Sequence, residues 1–414
     1  METDSSASRR RSVMARSIRL GHCVCDAKQP CPCDTFKQFN VCQCAGERLP
    51  VRAGESVRLT RHVRKAGCAS KIGQADLLRI LAGLPSVSDP NLLVGVAAGD
   101  DAGVYRLDAD RALVQTVDVF TPCVDDPVLF GRIAAANSVS DVYAMGGKPI
   151  TALSVAAFPI DELDGAVLQA MLRGAMETLA EASCVLMGGH SVNDQEIKLG
   201  FAVTGLIRPE AVVQRAAARP GDALVLTKPL GTGMIAFAAQ IGRAGEALLN
   251  ETGAVMATLN RDAAEAMAEH GAHAATDITG YGLAGHLAEM ARGSGVNVEI
   301  ELPRLPVFRA VPDCLSEQIL SGAVERNQDY AMGWIVADAP ESPAQAILYD
   351  PQTSGGLLVA LPADRADGYV AALHDRGHTA TAIVGRATAS DARPRIFVRG
   401  DTLDNVQGRE RLNL

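Results

Sequence analysis

Short apolar runs closed by acids or glycines alternate along the chain with longer stretches of helical periodicity, and that alternation lays out the expected elements. Residues 104–105 and 113–117 have the length and β-branched content of strands, with Asp118 where the second run stops. A short helix is expected from 74 to 84, where Leu77, Leu78, Ile80 and Leu81 precede Gly83 and Pro85. From 127 to 145 a leading Pro127, apolar Leu129, Ile133, Ala136 and Val142, and a closing Gly146-Gly147 predict a longer one. Asn137 and Asp141, four apart, share a face of that helix. Residues 151–158 read as a strand and 163–182 as an amphipathic helix. Residues 185–187 then read as a strand running into the glycine turn Gly188-Gly189-His190-Ser191, and 199–207 as a further strand.

The pattern breaks between Arg208 and Gly221, where charge, alanines and Pro220-Gly221 mark a domain boundary. It restarts with a strand at 223–227, the turn 228–233 and helices to about His270. The small-residue strand 274–276 is closed by Asp277, as the earlier strand is by Asp118. Residues 350–356, Asp-Pro-Gln-Thr-Ser-Gly-Gly, precede a last strong apolar run at 357–361.

Length and composition narrow the class. The 414 residues suffice for two domains, and 48% hydrophobic content fills their cores. Only 4% is aromatic while glycines number 39, which suits an α/β or α+β enzyme with many tight turns better than a stacking platform for nucleic acid. A net charge of −9 argues against a polyanionic partner, so no nucleic acid is expected and any phosphate must be held locally. No apolar run approaches the roughly 18 residues of a membrane span. Arg9, Arg10 and Arg11 lead into no apolar core, so no secretory signal and no membrane association are expected, and the location expected is cytoplasmic.

The candidate chemistry lies in acids at the ends of otherwise buried elements. Asp100, Asp101, Asp118, Asp141 and Asp277 would repel one another unless a cation sat among them, and an all-oxygen donor set favours Mg²⁺. Magnesium beside glycine-rich backbone suits nucleotide phosphate chemistry. Upstream, Arg61, Arg64, Lys65 and Lys71 crowd Cys68, and nearby cations favour the thiolate. Lys71 either pairs with Cys68 or reaches a phosphate, and Gly67 and Gly73 predict a mobile arm.

Residues 1 to about 60 are polar, arginine-rich and hold six of the ten cysteines, as the pairs Cys23/Cys25, Cys31/Cys33 and Cys42/Cys44 beside His22. In a reducing compartment such density reads first as thiolate binding of Zn²⁺ or an iron–sulfur cluster and second as disulfides. A disordered extension, or a true start at Met14, is the alternative. The stretch 31–44 resembles the latter half of the cluster-binding pattern in the catalytic subunit of ferredoxin-thioredoxin reductase, with the first cysteine pair closer than in that family.

Taken in order, Gly67-Cys68-Ala69-Ser70-Lys71, residues 89–95, Asp100-Asp101-Ala102, Thr116-Val117-Asp118, residues 130–137, Ser140-Asp141, Gly188-Gly189-His190-Ser191, Thr276-Asp277 and residues 350–356 resemble selenophosphate synthetase, or selenide, water dikinase. The resemblance implies an α+β, two-domain aminoimidazole ribonucleotide synthetase-like fold whose N-terminal strands pair across a homodimer. It divides the chain into a Cys-rich extension (1–54), a catalytic arm and lead-in (55–93), an ATP- and magnesium-binding domain (94–210) and a C-terminal domain (211–414). It implies an ATP-dependent phosphotransferase making selenophosphate, AMP and orthophosphate from ATP, selenide and water. Asp101, Asp141 and Asp277 match the magnesium ligands. Lys71, Ala98, Gly99, Asp100, Asp118, Asp141, Gly189, His190 and Ser191 match the ATP contacts, and Cys68 with Lys71 the catalytic pair. Two departures stand out: Ser70 replaces a second cysteine, and Ala98-Gly99 replaces a Thr-Arg pair that would carry a guanidinium. The rival readings are a thiamine-monophosphate kinase-like enzyme, which would release ADP, and a non-catalytic carrier of metal or selenium.

Overall fold

The computed structural model describes residues 3–23, 30–45, 47, 57–85, 88–96 and 98–412. An N-terminal mixed sheet is formed by β1 (Leu92–Val94), β2 (Gly103–Arg106), β3 (Ala112–Phe120), β4 (Lys148–Phe158), β5 (Val185–Asn193) and β6 (Lys198–Ile207), in the order β1-β2-β3-β6-β4-β5. Four of its five neighbouring pairs are antiparallel, and only β4 and β5 are parallel. The helix Pro127–Ala144 packs on one face of this sheet. It starts where the Asp126 side chain accepts from Leu129 N–H and Pro127 fills the first turn, and apart from Arg132 it is buried from Phe130 onward. The helix Gly165–Glu181, capped by Asp164, packs against it. On the opposite face Val117, Leu153, Val185, Met187 and Val192 are exposed. This sheet therefore has one covered side and one bare apolar side.

Two details of this sheet depart from the sequence reading. Asp118 lies inside β3, paired with Phe201 of β6, because the ladder continues through Val119 and Phe120. Residues 188–191 make no turn: β5 runs straight through them, with Ser154 opposite Gly189. The glycine is needed there because a Cβ at 189 would lie 2.1 Å from Ser154 Oγ and 2.2 Å from its carbonyl oxygen.

A second sheet, in the order β11-β14-β9-β13-β7-β12-β8, is formed by β7 (Asp222–Leu226), β8 (Ala274–Asp277), β9 (Val296–Glu301), β11 (Ile335–Ala337), β12 (Leu357–Pro362), β13 (Ala382–Ala389) and β14 (Ile396–Arg399). The short pair β10 (Val307–Phe308) and β15 (Val406–Gln407) lies beside it. Its central strands β7 and β12 are apolar apart from Asp222 at the start of β7, and are buried on both faces. β8 is an edge strand, so its last residue, Asp277, projects where the two domains meet.

The described part of the extension is folded. Helices α1 (Thr3–Leu20) and α2 (Asp34–Phe39) and the turn Gln43–Ala45 enclose a small core of Val13, Cys42 and Ala45. Cys25 and the boundary expected at 54 lie outside the described residues.

Candidate active site

The acids converge from both domains. Thr276, next to Asp277, donates its hydroxyl to Asp101 Oδ1 at 2.8 Å, tying the edge of the second sheet to the loop between β1 and β2. Asp141, on the buried face of its helix, accepts from Thr116 Oγ1 at 2.5 Å, and the Ser140 hydroxyl bonds Asp277. Asp101 Oδ2 and Asp277 Oδ2 are buried without a hydrogen-bond partner. A buried carboxylate oxygen with no donor is costly, and an oxygen-seeking divalent cation satisfies it. Among the described residues no three His, Cys, Asp or Glu side chains stand ready-set around one point as ligands of an ion. The aspartates are gathered but not drawn in.

Electrostatics reports the same crowding. Burial and the charge of Asp277 push the Asp101 carboxyl well above its ordinary range. Burial, then Asp277, Asp118 and Asp101, do the same to Asp141. Asp277 itself is pushed up to about 6, chiefly by burial, with the Ser140 hydrogen bond pulling it back. A cluster that resists full ionisation is one that a divalent cation stabilises.

The arm closes over this centre. Gly67 bridges Thr121, donating N–H to its carbonyl at 3.1 Å, and residues Cys68–Ser70 make one 3₁₀ turn. Cys68 is completely buried, contrary to the mobile, solvent-reached position its flanking glycines suggest. Its N–H donates to Thr353 Oγ1 at 3.0 Å and its thiol lies 3.9 Å from Asn137 Oδ1. Burial pushes the thiol up to about 12 and Lys71 only partly offsets this, so the thiolate expected from the basic surroundings gives way to a neutral thiol. Lys71 grips Asp118 instead of Cys68, with Nζ 2.7 Å from Oδ1 and 2.9 Å from Oδ2. Burial is the largest single influence and opposes its charge, but Asp118, Cys68 and Asp141 together raise the ammonium's pKa. Asn137 Nδ2 donates to the same Asp118 carboxylate at 2.5 Å. Gly280 makes the fit possible: a Cβ there would lie 2.8 Å from the Cys68 carbonyl oxygen and 3.1 Å from Lys71 Cδ.

The loop 350–356, quoted above as a motif without a role, is the hub between arm and domains. Thr353 holds Cys68, Ser354 N–H donates to Asn137 Oδ1 at 2.9 Å, and Gln352 Oε1 accepts from Gly231 and Thr232 N–H. Sequence reading also missed Arg215. Its guanidinium, almost wholly buried, donates to the Gly99 carbonyl, and its backbone N–H donates to Asp100. The guanidinium absent at position 99 thus arrives from a distant segment, which no local pattern announces. His286 is held neutral, pushed down to about 3 by burial, and accepts from Thr279 N–H behind Asp277. Ala98 is exposed on the same loop as Gly99. Gly189, His190 and Ser191 are not brought to this centre within one chain: they lie on the exposed edge strand β5, three strand spacings, roughly 14 Å, from β3.

Fold and site together define a two-domain protein of the AIR synthase class. Residues 99–207 match the family described as AIR synthase related protein, N-terminal domain, and residues 219–396 its C-terminal domain. Among solved structures, thiamine monophosphate kinase from Aquifex aeolicus is similar at a TM-score of 0.54 and 21% identity, over 80% of this chain and 98% of that one. Hydrogenase maturation protein HypE in complex with ATP is similar at a TM-score of 0.54 and 20% identity, over 78% of this chain and 89% of that one. These likenesses show the fold alone. The sequence relatives are nearer: selenide, water dikinase 2 of Peptoclostridium acidaminophilum is 42% identical over 84% of this chain and its own whole length. The selenide, water dikinase of Geobacter metallireducens is 46% identical over 80% of this chain and 96% of its own. The chain belongs to the selenide, water dikinase family.

Proposed function

We propose that the protein makes selenophosphate, AMP and orthophosphate from ATP, selenide and water. The observation that carries this reading is the docking of the Cys68/Lys71 arm on Asp118 and Asn137, beside acids contributed by both domains. Asp101, Asp141 and Asp277 would hold Mg²⁺, which supplies neutralisation of triphosphate charge that otherwise repels an anionic nucleophile. Lys71 offers its ammonium to the transferring phosphoryl group, exchanging Asp118 for phosphate oxygen. Arg215 provides the guanidinium that relatives are expected to carry at position 99, and Gly99 and Asp100 line the same loop. The buried neutral thiol of Cys68 donates a hydrogen bond to hydrogen selenide without adding a repelling charge. Closure of the arm excludes water from the first transfer, and reopening admits it for the second.

The bare face of the N-terminal sheet completes the reading. Val117, Leu153, Val185 and Met187 form an apolar surface continuous with the strand that carries Gly189, His190 and Ser191. A second copy packed there buries that surface and sets those three residues against ATP, so the enzyme works as a homodimer. The thiamine-monophosphate kinase reading gives no role to the arm, and a retired carrier has no need for five gathered acids, two of them, Asp101 and Asp277, with unpartnered oxygens. A ³¹P spectrum of ATP with selenide and Mg²⁺ tests the proposal. Equal growth of selenophosphate, AMP and orthophosphate is expected, and loss of all three in Cys68→Ala. ADP as the end product, or full selenide-dependent AMP release by Cys68→Ala, would overturn it.

A further inference from the structure

The extension lies apart from all of this chemistry and has its own. Five cysteines that the sequence scatters over 22 positions come together: Cys23, Cys31, Cys33, Cys42 and Cys44 line one small cavity. Apart from Ser17 its wall is otherwise apolar, with Val13, Met14 and Phe36 packed around the sulfurs. The five are not equivalent. Cys44 is in a disulfide, so its sulfur is already committed, whereas Cys23, Cys31, Cys33 and Cys42 carry reduced thiols. Cys23 Sγ lies 3.2 Å from Cys44 Sγ, which puts the reduced set directly against the oxidised one.

Size supplies an independent argument. The buried core here is Val13, Cys42 and Ala45, with Met14, Phe36 and Cys44 packed against it, and fewer than about 40 residues surround it. Segments so small rarely hold a fold through apolar burial alone and use several disulfides or a metal, whereas of the described cysteines here Cys44 alone is disulfide-bonded. Polar ties help little: Arg10 pairs with Glu47 and reaches the Asn40 carbonyl at 2.8 Å, and Glu47 accepts the Cys42 N–H at 2.8 Å, all near the surface. Four sulfurs lining one small cavity, from the Cys31/Cys33 pair with Cys23 and Cys42, are the donor set of a thiophilic metal.

We infer that Cys23, Cys31, Cys33 and Cys42 form a four-thiolate metal centre, with the Cys44 disulfide packed against it as a fifth, non-ligating sulfur. The sulfurs, like the aspartates of the ATP site, are gathered without being drawn to one point, and metal entry contracts them and fixes the extension. The shared chemistry is tetrathiolate ligation of a single Zn²⁺ or of an iron–sulfur cluster.

The test uses the full chain purified without oxygen, with metals measured by mass spectrometry, acid-labile sulfide by colorimetry, and the visible spectrum recorded. About one zinc per chain without colour, or about four irons with matching sulfide and a visible charge-transfer band, is expected, the two arms separating the sources. Cys31→Ser and Cys42→Ser are expected to lower retained metal at least tenfold, while Cys44→Ser keeps it. Because the serine variants can unfold the extension, the wild type carries a second readout. Peptides containing Cys31, Cys33 and Cys42 should resist maleimide until a chelator removes the metal. Less than a tenth of an equivalent of metal, with chelator-independent labelling of those three cysteines, overturns the centre. Equal metal loss in Cys44→Ser and Cys42→Ser overturns the choice of ligands. None of these readouts depends on dikinase turnover.

Discussion

Replacing Thr353 by valine removes one hydroxyl from the hub while keeping its shape. In the closed arm the Cys68 N–H has that oxygen as its acceptor, at 3.0 Å and away from solvent. The Thr353 backbone keeps its own bond to Thr232 Oγ1, so the loop itself should hold. Leaving a buried N–H unpaired costs roughly 1–3 kcal/mol. That penalty falls on the closed state alone, because an open arm gives the N–H to water. The closed-to-open ratio should therefore drop by about 5- to 150-fold. Cys68 is sealed while the arm is shut, so its alkylation requires opening and its rate reports the open population. Maleimide labelling of the Cys68 peptide, followed by mass spectrometry, should accelerate by that factor in Thr353→Val. The rate for selenide should fall, although the hydroxyl takes no part in the chemistry. An unchanged labelling rate in a folded Thr353→Val protein refutes the view that this bond latches the arm.

Gly280→Ala places a methyl 2.8 Å from the Cys68 carbonyl oxygen, so selenide-dependent turnover should fall at least tenfold with little change in melting temperature; an unaffected rate counts against arm closure in catalysis. Arg215→Ala should lower kcat/KM for ATP by roughly 10- to 150-fold, the worth of a charge-assisted hydrogen bond, and Gly99→Arg in that background should recover part of it. Steady-state kinetics on the single and double variants decides. Asp277 gives a pH dependence whose sign is fixed: its carboxyl is held at about 6 in the fold against an ordinary 3.8. Its contribution to stability is fully present below pH 4 and is lost as pH rises through 6, by up to about 3 kcal/mol in the metal-free protein. Calorimetry of wild type against Asp277→Asn between pH 4 and 7 should show the wild type losing ground as pH rises and Mg²⁺ restoring it; a pH-independent difference refutes the burial argument.

Much of this was legible in the sequence, and the exceptions share a cause. The helix Pro127–Ala144 announced itself by its leading proline, its apolar spacing and its terminal glycines, all local signals. The acids stood out because each sits where an apolar run offers no other reason for charge. Asp118 was misplaced at a strand end because a single polar residue inside a buried strand reads as a terminus, while its partners Lys71 and Asn137 lie 47 and 19 residues away. The glycines at 188–189 read as a turn because nothing local reveals Ser154 pressing against the backbone. Cys68 was expected as an accessible thiolate because its basic neighbours are visible in sequence, whereas the Thr353 that buries it is 285 residues distant. Arg215 and the 350–356 hub were missed for the same reason: their role is made entirely by tertiary contacts.

The most direct measurement of the central claim is a crystal structure with Mn²⁺ and a non-hydrolysable ATP analogue, read by anomalous scattering. The account predicts manganese peaks among Asp101, Asp141 and Asp277, with triphosphate reaching Lys71 and with Gly189, His190 and Ser191 of a second copy against the nucleotide. Manganese bound elsewhere, with Asp277 turned away from Asp101 and Asp141, would contradict it.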